Sequence, residues 1–279
     1  MAGAGGAVVT GAGRGLGLEV ARRLAARGFQ VHCTDIDAGA AERAAASLGH
    51  GAWSSELDVS DAGACEDAAR ATAERAGSLA VWINNAGLLP TGHVWDHDDG
   101  ERRRTIEVNV LGTMNGTLAA LGAMRPAGSG HVVNVISLAG LVTPPGEALY
   151  AASKHAALAF SLGTAADLRR SGPRGVHVSA LCPDGMKTPM LDQVADDPDA
   201  SLSWSGVLLD PERVADRVVG LLDRPRPILC MPRWRGPMLR VWDAMPRVAL
   251  ATQPAVIAAT RIRQRAWARR RRAEVQAGR

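Results

Sequence analysis

Apolar residues along the chain fall into short runs, and amphipathic stretches separate those runs. Gly6 to Thr10, Leu79 to Ile83, His131 to Ser137, Gly175 to Leu181 and Pro227 to Met231 are mostly apolar, Val31 to Asp35 is mixed, and Ala52 to Leu57 alternates. Runs of this length, bounded by turn residues, read as strands buried on both faces. Between them, Leu18 to Arg27, Ala38 to Leu48, Asp61 to Ala76, Gly100 to Met124, Tyr150 to Arg170 and Pro211 to Leu222 carry apolar residues at helical spacing. Strands alternating with helices predict an α/β fold, a doubly wound parallel sheet with helices on both faces. Leu88 to Glu101 reads as a loop, and Leu191 to Leu209 as a mobile apolar lid. From Pro232 the pattern changes. Apolar residues sit among arginines, Pro254 interrupts the run, and Ala255 to Ala273 reads as a basic helix. The expected division is a body over 1–231 and a basic, partly helical extension over 232–279, with disorder possible at the end.

Charge sharpens this division. The chain of 279 residues has a net charge of +4. Arg224 to Arg279 holds fourteen arginines against Asp243 and Glu274, a net +12, which leaves −8 on 1–223. A basic tail on an acidic body suggests packing on another subunit or on the body itself, or contact with an anionic membrane surface. No segment resembles a nucleic-acid-binding fold, so no nucleic-acid partner is expected. The four cysteines are scattered without a CxxC pair, as expected of free thiols in a reducing compartment. No signal-peptide pattern or membrane-spanning apolar run is present, so a cytoplasmic location is expected, with peripheral membrane contact through the tail left open.

Two stretches carry chemistry. Gly11-Ala-Gly-Arg-Gly-Leu-Gly17 follows the first strand and opens the first helix. There, glycines let backbone approach a pyrophosphate and a helix N-terminus faces it, the context of a dinucleotide loop. Asp35 ends the second strand, eighteen residues after Gly17. Its carboxylate can bond ribose hydroxyls and repels a 2′-phosphate, which favours NAD over NADP; Arg14 pulls weakly the other way. Asp37 is the better candidate to cap the next helix. Asp58-Val59 ends the third strand, where Asp58 could reach an adenine amino group. Asn84-Asn85-Ala86-Gly87 follows the fourth, with amides that could bond the loops.

The second stretch runs from Ser137 to Lys154. Tyr150 is the only tyrosine, and Lys154 is one of two lysines. A spacing of four puts both on one helix face, with Ser137 at the end of the preceding strand. A nearby ammonium favours a phenolate, so this set is expected to exchange protons near neutral pH. Asn109 falls mid-helix between apolar flanks and is expected to point into packed surroundings. His93, His97 and the neighbouring aspartates fit no metal-ligand spacing, and no metal is expected.

Thr10-Gly11-x-x-x-Gly15-x-Gly17, Asp35, Asp58-Val59, Asn84 to Gly87, Asn109, Ser137, Tyr150-x-x-x-Lys154 and Pro183 to Thr188 together resemble the short-chain dehydrogenase/reductase family, in its single-domain subtype, from about Gly5 to Met231. The resemblance implies a Rossmann-type fold and a tetrad: Tyr150 as acid/base, Ser137 polarising the substrate oxygen, Lys154 binding ribose and lowering the phenol's pKa, Asn109 holding a relay water. It implies NAD contacts from Gly11, Gly13, Arg14, Gly15, Leu16, Gly17, Asp35, Ile36, Asp58, Val59, Asn85, Ala86, Gly87, Tyr150, Lys154, Pro183, Met186 and Thr188. It also implies a homo-oligomer, a dimer or tetramer, formed through the helices holding Asn109 and Tyr150. Asp184 departs from the family pattern, which has Gly after Pro183. An altered loop is expected there, since Asp tolerates left-handed backbone.

The expected activity is interconversion of a secondary alcohol and a ketone, on a lipophilic, steroid- or fatty-acyl-like substrate. Two alternatives stand beside it: an NADPH-dependent 3-oxoacyl-thioester reductase, and an idle NAD-binding scaffold tethered by its tail.

Overall fold

A computed structural model describes residues 5–49 and 51–277, with side chains to residue 273. The last residues of the tail, where the sequence allows disorder, lie outside these.

Seven strands form one sheet: β1 (Gly6–Thr10), β2 (Gln30–Asp35), β3 (Trp53–Glu56), β4 (Leu79–Asn84), β5 (Ser129–Val135), β6 (Gly175–Pro183) and β7 (Ile228–Met231). Their order is β3-β2-β1-β4-β5-β6-β7, and every neighbouring pair is parallel. The sheet is covered by α1 (Gly15–Ala26), α2 (Ala38–Leu48), α3 (Ala62–Ala76), α4 (Asp99–Ile106), α5 (Gly112–Ala127), α6 (Ala148–Ser171), α7 (Pro189–Gln193) and α8 (Pro211–Asp223). α9 (Arg235–Asp243) and α10 (Pro246–Ala277) follow the last strand.

The central strands bury both faces while the edge strands β3 and β7 are half-buried, and alternation along β1 shows how. Ala7 and Val9 join the core made with Leu16, Val20, Ala21 and Leu24 of α1 and Val214, Ala215 and Val218 of α8. Val8 points the other way, to Cys65, Ala68 and Ala69 of α3 and Ala120, Leu121 and Met124 of α5. Each fully buried Val or Leu contributes about 1.5–3 kcal/mol relative to exposure. The strand order reverses between β1 and β4, and ligands bind beyond the carboxyl ends of strands at such a switch point.

Several boundaries differ from the sequence reading. The first helix starts at Gly15, because the glycine-rich loop itself forms its first turn. Asp37, as expected, caps α2 by accepting from Ala40 N. The single helix expected over 100–124 is two helices joined by a π-helical turn, Glu107–Leu111. The segment 191–209 is not an open lid: α7 and a 3₁₀ turn (Pro198–Trp204) bury Leu191, Ala200 and Trp204 against Trp267 and Ala268 of α10. Pro254 does not break its helix; α10 runs through it. An internal proline costs about 3 kcal/mol. Packing further along the helix offsets that cost: Gln264 donates to Asp197 O (2.5 Å), Arg263 to Gly206 O (2.7 Å) and Trp267 to Asp192 (3.2 Å).

Candidate active site

Two cavities open at the carboxyl edge of the sheet, and Tyr150 lines both. The first, about 310 Å³, runs over the glycine-rich loop past Asp35, Ile36, Asp58 and Val59 to Asn85, Ala86, Gly87 and Lys154. The second, about 320 Å³, is walled by Ser137, Leu138, Val142, Leu202, Met238, Leu239 and Trp242.

The loop of the first cavity is shaped to let backbone close in. Gly13 N donates to Asp35 Oδ2 at 3.0 Å, and a Cβ on Gly13 would come within 2.9 Å of that oxygen. A Cβ on Gly17 would meet Gly11 O at 2.1 Å, so the helix starts against the strand end only with glycine there. Asn85 fixes the loop from behind, donating from Nδ2 to Thr10 O (3.0 Å) and Gly11 O (3.1 Å). Arg14, Leu16, Met186 and Thr188 also line this cavity; Pro183 lines the second. Asp58 accepts from Ser60 (2.6 Å) and from Arg104 (3.1 Å); these partners hold its carboxyl below the usual range, against partial burial. The set fits a dinucleotide: open N–H groups at a helix N-terminus for its phosphates and a carboxylate at each of the two neighbouring strand ends.

Tyr150 and Lys154 lie on one face of α6, with the Lys154 ammonium 5.7 Å from the phenol ring centre. The phenol shares a hydrogen bond with Ser137. Ser137 Oγ accepts from Ala139 N at 3.1 Å, which turns the chain at the end of β5. Lys154 donates to Val135 O at 3.3 Å. Here the electrostatics correct the sequence reading. Burial pushes the Tyr150 phenol up, and the Ser137 hydrogen bond opposes this only in part. Burial also pulls Lys154 down to about 8. The phenol is therefore held protonated, as a proton donor.

Asn109 sits in the π-helical turn, fully buried. Such turns occur often at functional sites, and this one aims the amide out of the helix. Asn109 accepts from Leu88 N (2.8 Å) and donates to Leu88 O and Ser153 Oγ (both 2.9 Å). It ties the loop after β4 to α6, one turn from Tyr150.

Two features have no counterpart in the sequence reading, and a third, at Asp184, corrects it. Glu147, buried beside Tyr150 and lining the second cavity, accepts from Ser203 at 2.7 Å; burial raises its carboxyl to about 7. Its position just before α6 was the available signal. Asp184 does not adopt left-handed backbone, which among the described residues only glycines do. It accepts from Gly185 N (3.1 Å) and Val207 N (3.2 Å) and lies 2.9 Å from Arg235 Nε, a pair buried on both sides. Finally, α9 and α10 wall the second cavity with Arg235, Met238, Leu239, Trp242, Gln253 and Val256. Arg235, Leu239 and Trp242 repeat at helical spacing, a face hidden in sequence by the apolar residues between them.

His93 and His97 have other partners: His93 lies 3.3 Å from Asp199, and His97 2.8 Å from Glu101. Among the described residues no helix is long and apolar enough to cross a membrane.

The profile of the short chain dehydrogenase family matches residues 6–199. The chain is similar to trans-4-hydroxycyclohexanecarboxylate dehydrogenase of Sinomonas cyclohexanicum: 39% identity over 193 residues, 66% of this chain and 73% of that protein. It is 34% identical over 191 residues to 3-alpha-(or 20-beta)-hydroxysteroid dehydrogenase of Mycobacterium bovis, 68% of this chain and 72% of that protein. Among solved structures, a short chain dehydrogenase/reductase from Burkholderia phymatum in complex with NAD superposes with a TM-score of 0.80 at 27% identity, covering 89% of this chain and 97% of that one.

Proposed function

The chain belongs to the short-chain dehydrogenase family, an oxidoreductase family acting on alcohols and ketones with a nicotinamide cofactor, and from that premise we propose an NAD(H)-dependent enzyme interconverting a lipophilic secondary alcohol and its ketone. One observation carries the reading. Tyr150 stands where the two cavities meet, with Ser137 in the second and Lys154 in the first. A proton donor is thus shared between a dinucleotide-shaped groove and an apolar pocket.

NAD(H), when bound, supplies or accepts the hydride. The chain's own groups do the rest. Asp35 holds the adenosine ribose and disfavours a 2′-phosphate. Gly11, Gly13, Arg14, Gly15, Leu16 and Gly17 receive the pyrophosphate. Ile36, Asp58 and Val59 border the adenine, and Asn85, Ala86, Gly87, Pro183, Met186 and Thr188 border the nicotinamide half. In the reductive direction Ser137 Oγ–H donates to the ketone oxygen and Tyr150 passes its proton there; in the oxidative direction Tyr150 takes that proton back. Lys154 holds the ribose and places positive charge near the phenolate as it forms. Asn109, through Leu88 and Ser153, positions α6 and a relay water. The 1–231 body carries this chemistry, and α9 with the first turns of α10 closes the substrate side.

The apolar wall from Leu138 to Trp242 supports a steroid- or fatty-acyl-like substrate, as does the relative named for a hydroxysteroid. We place the enzyme in the cytoplasm, as a dimer or tetramer through α4 to α6, where Ile106, Leu111 and Leu118 are exposed. The extension gives it peripheral membrane contact, argued below.

The test is Tyr150→Phe. The variant should bind NADH like the parent and turn over at least ~10²-fold more slowly, the scale of general acid–base contributions. Equal turnover would overturn the assignment.

A further inference from the structure

α9 has two apolar faces. Arg235, Leu239 and Trp242 face inward on the substrate cavity. Trp234, Met238 and Val241 follow the same i, i+4, i+7 spacing one residue earlier, and all are exposed, Trp234 by 59% and Val241 by 60%. Met245 and Val248 follow at i+4 and i+7 from Val241 onto the start of α10, and Leu250 (65%) is exposed two positions on. Of the fifteen large apolar side chains exposed among the described residues, these six fall within seventeen positions. An apolar patch on this scale marks a binding surface.

The charge around the patch says what binds. Arg233, Arg240 and Arg247 recur every seven residues along it, all exposed, and make no ion pair with any described residue. The acid of the same stretch, Asp243, is half-buried and accepts from Thr143 at 3.2 Å. Apolar residues projecting outward beneath a row of unpaired arginines match the acyl and headgroup layers of an anionic bilayer. A second copy of the chain would bring like charges together. Met238 is both exposed and part of the cavity wall, so the patch borders the cavity mouth.

We propose that α9 and the start of α10 dock the protein on an anionic lipid surface, with the mouth of the substrate cavity against the bilayer. A lipophilic substrate would then enter from the lipid. The docking stands on the surface alone, whereas the entry route rests on the function proposed above.

The test is sedimentation of the full chain with vesicles of phosphatidylcholine, or of phosphatidylcholine mixed with phosphatidylglycerol. The parent should pellet with the mixed vesicles and stay in solution with the neutral ones. Each arginine near such a surface strengthens binding roughly fivefold. R233Q/R240Q/R247Q should therefore weaken it at least ~50-fold, and V241D at least ~10-fold. A control losing equal charge elsewhere, R43Q/R70Q/R174Q, should still bind. The proposal is overturned if the parent ignores both vesicles, or if the control falls as far as the patch variant. It is also overturned if V241D splits an oligomer on size exclusion while leaving vesicle binding unchanged, which would make the occupant a second copy. NADH fluorescence, measured in parallel, should match the parent in every variant, so failure of the enzyme reading would not be mistaken for failure of the docking.

Discussion

Replacing Lys154 by Met should make the cofactor-free protein more stable and nearly inactive. Lys154 is buried, with its pKa pulled from 10.5 to about 8 by burial. That displacement corresponds to about 3 kcal/mol of cost for the charged form at neutral pH. Met has similar volume and carries no charge. It forfeits the 3.3 Å hydrogen bond to Val135 O, a loss of about 1 kcal/mol. The net gain is about 2 kcal/mol, or roughly 4–8 °C in Tm for a chain of this size. The sign can be checked against pH. The unfolded chain keeps this proton up to about 10.5 and the folded chain sheds it above about 8. Between those values the unfolded state binds more protons, so the parent's stability rises with pH. The variant lacks this rise, so its advantage should be full at pH 7 and gone above pH 10. Thermal melts of both proteins across that range, without cofactor, are the assay. A variant less stable at pH 7, or an advantage that does not change with pH, would refute the reasoning.

Other outcomes follow from the same geometry. Asp184→Ala leaves the Arg235 guanidinium buried without its partner, which should cost about 3–5 kcal/mol and lower Tm by more than about 6 °C; D184A/R235M should recover most of that in the same melts. Asp35→Ala removes the negative charge facing the ribose, so the NADPH to NADH affinity ratio, read by nicotinamide fluorescence, should rise at least ~10-fold. An unchanged ratio would mean Asp35 acts only through its 3.0 Å bond to Gly13 N.

How much of this was legible beforehand depended on where the partners lie in the chain. Buried strands announce themselves by short apolar runs, and all seven appear within a few residues of their expected places. The glycine-rich loop, Asp35, Ser137, Tyr150 and Lys154 were legible because each is fixed by a neighbouring strand end or helix face. Asn109 was seen to point inward, but the π-helical turn that aims it has no signal in a run of Val, Asn and Leu. Proximity of the phenol to Lys154 can be read from spacing, while the burial of both groups that sets its environment cannot. Asp184 stands out as unusual, yet its partner Arg235 lies 51 positions on, in a segment where a quarter of the residues are Arg. The extension reads as a basic helix able to pack on the body, and it does so, but which of its faces turns inward is hidden for the same reason. Its inward and outward faces both carry apolar residues, and only packing separates them, of Leu239 against Leu141 and Leu158 and of Trp267 against Trp204 and Leu191.

The most direct test of the central claim is deuterium transfer. The enzyme would be incubated with NADH carrying deuterium at both hydrogens of the nicotinamide C4 and a cyclic ketone, and the product alcohol analysed by mass spectrometry. The account predicts label on the carbinol carbon with the parent, formed at least ~10²-fold more slowly with Tyr150→Phe. Label formed equally fast by both proteins, or no label from a parent that binds NADH and the ketone, would contradict it.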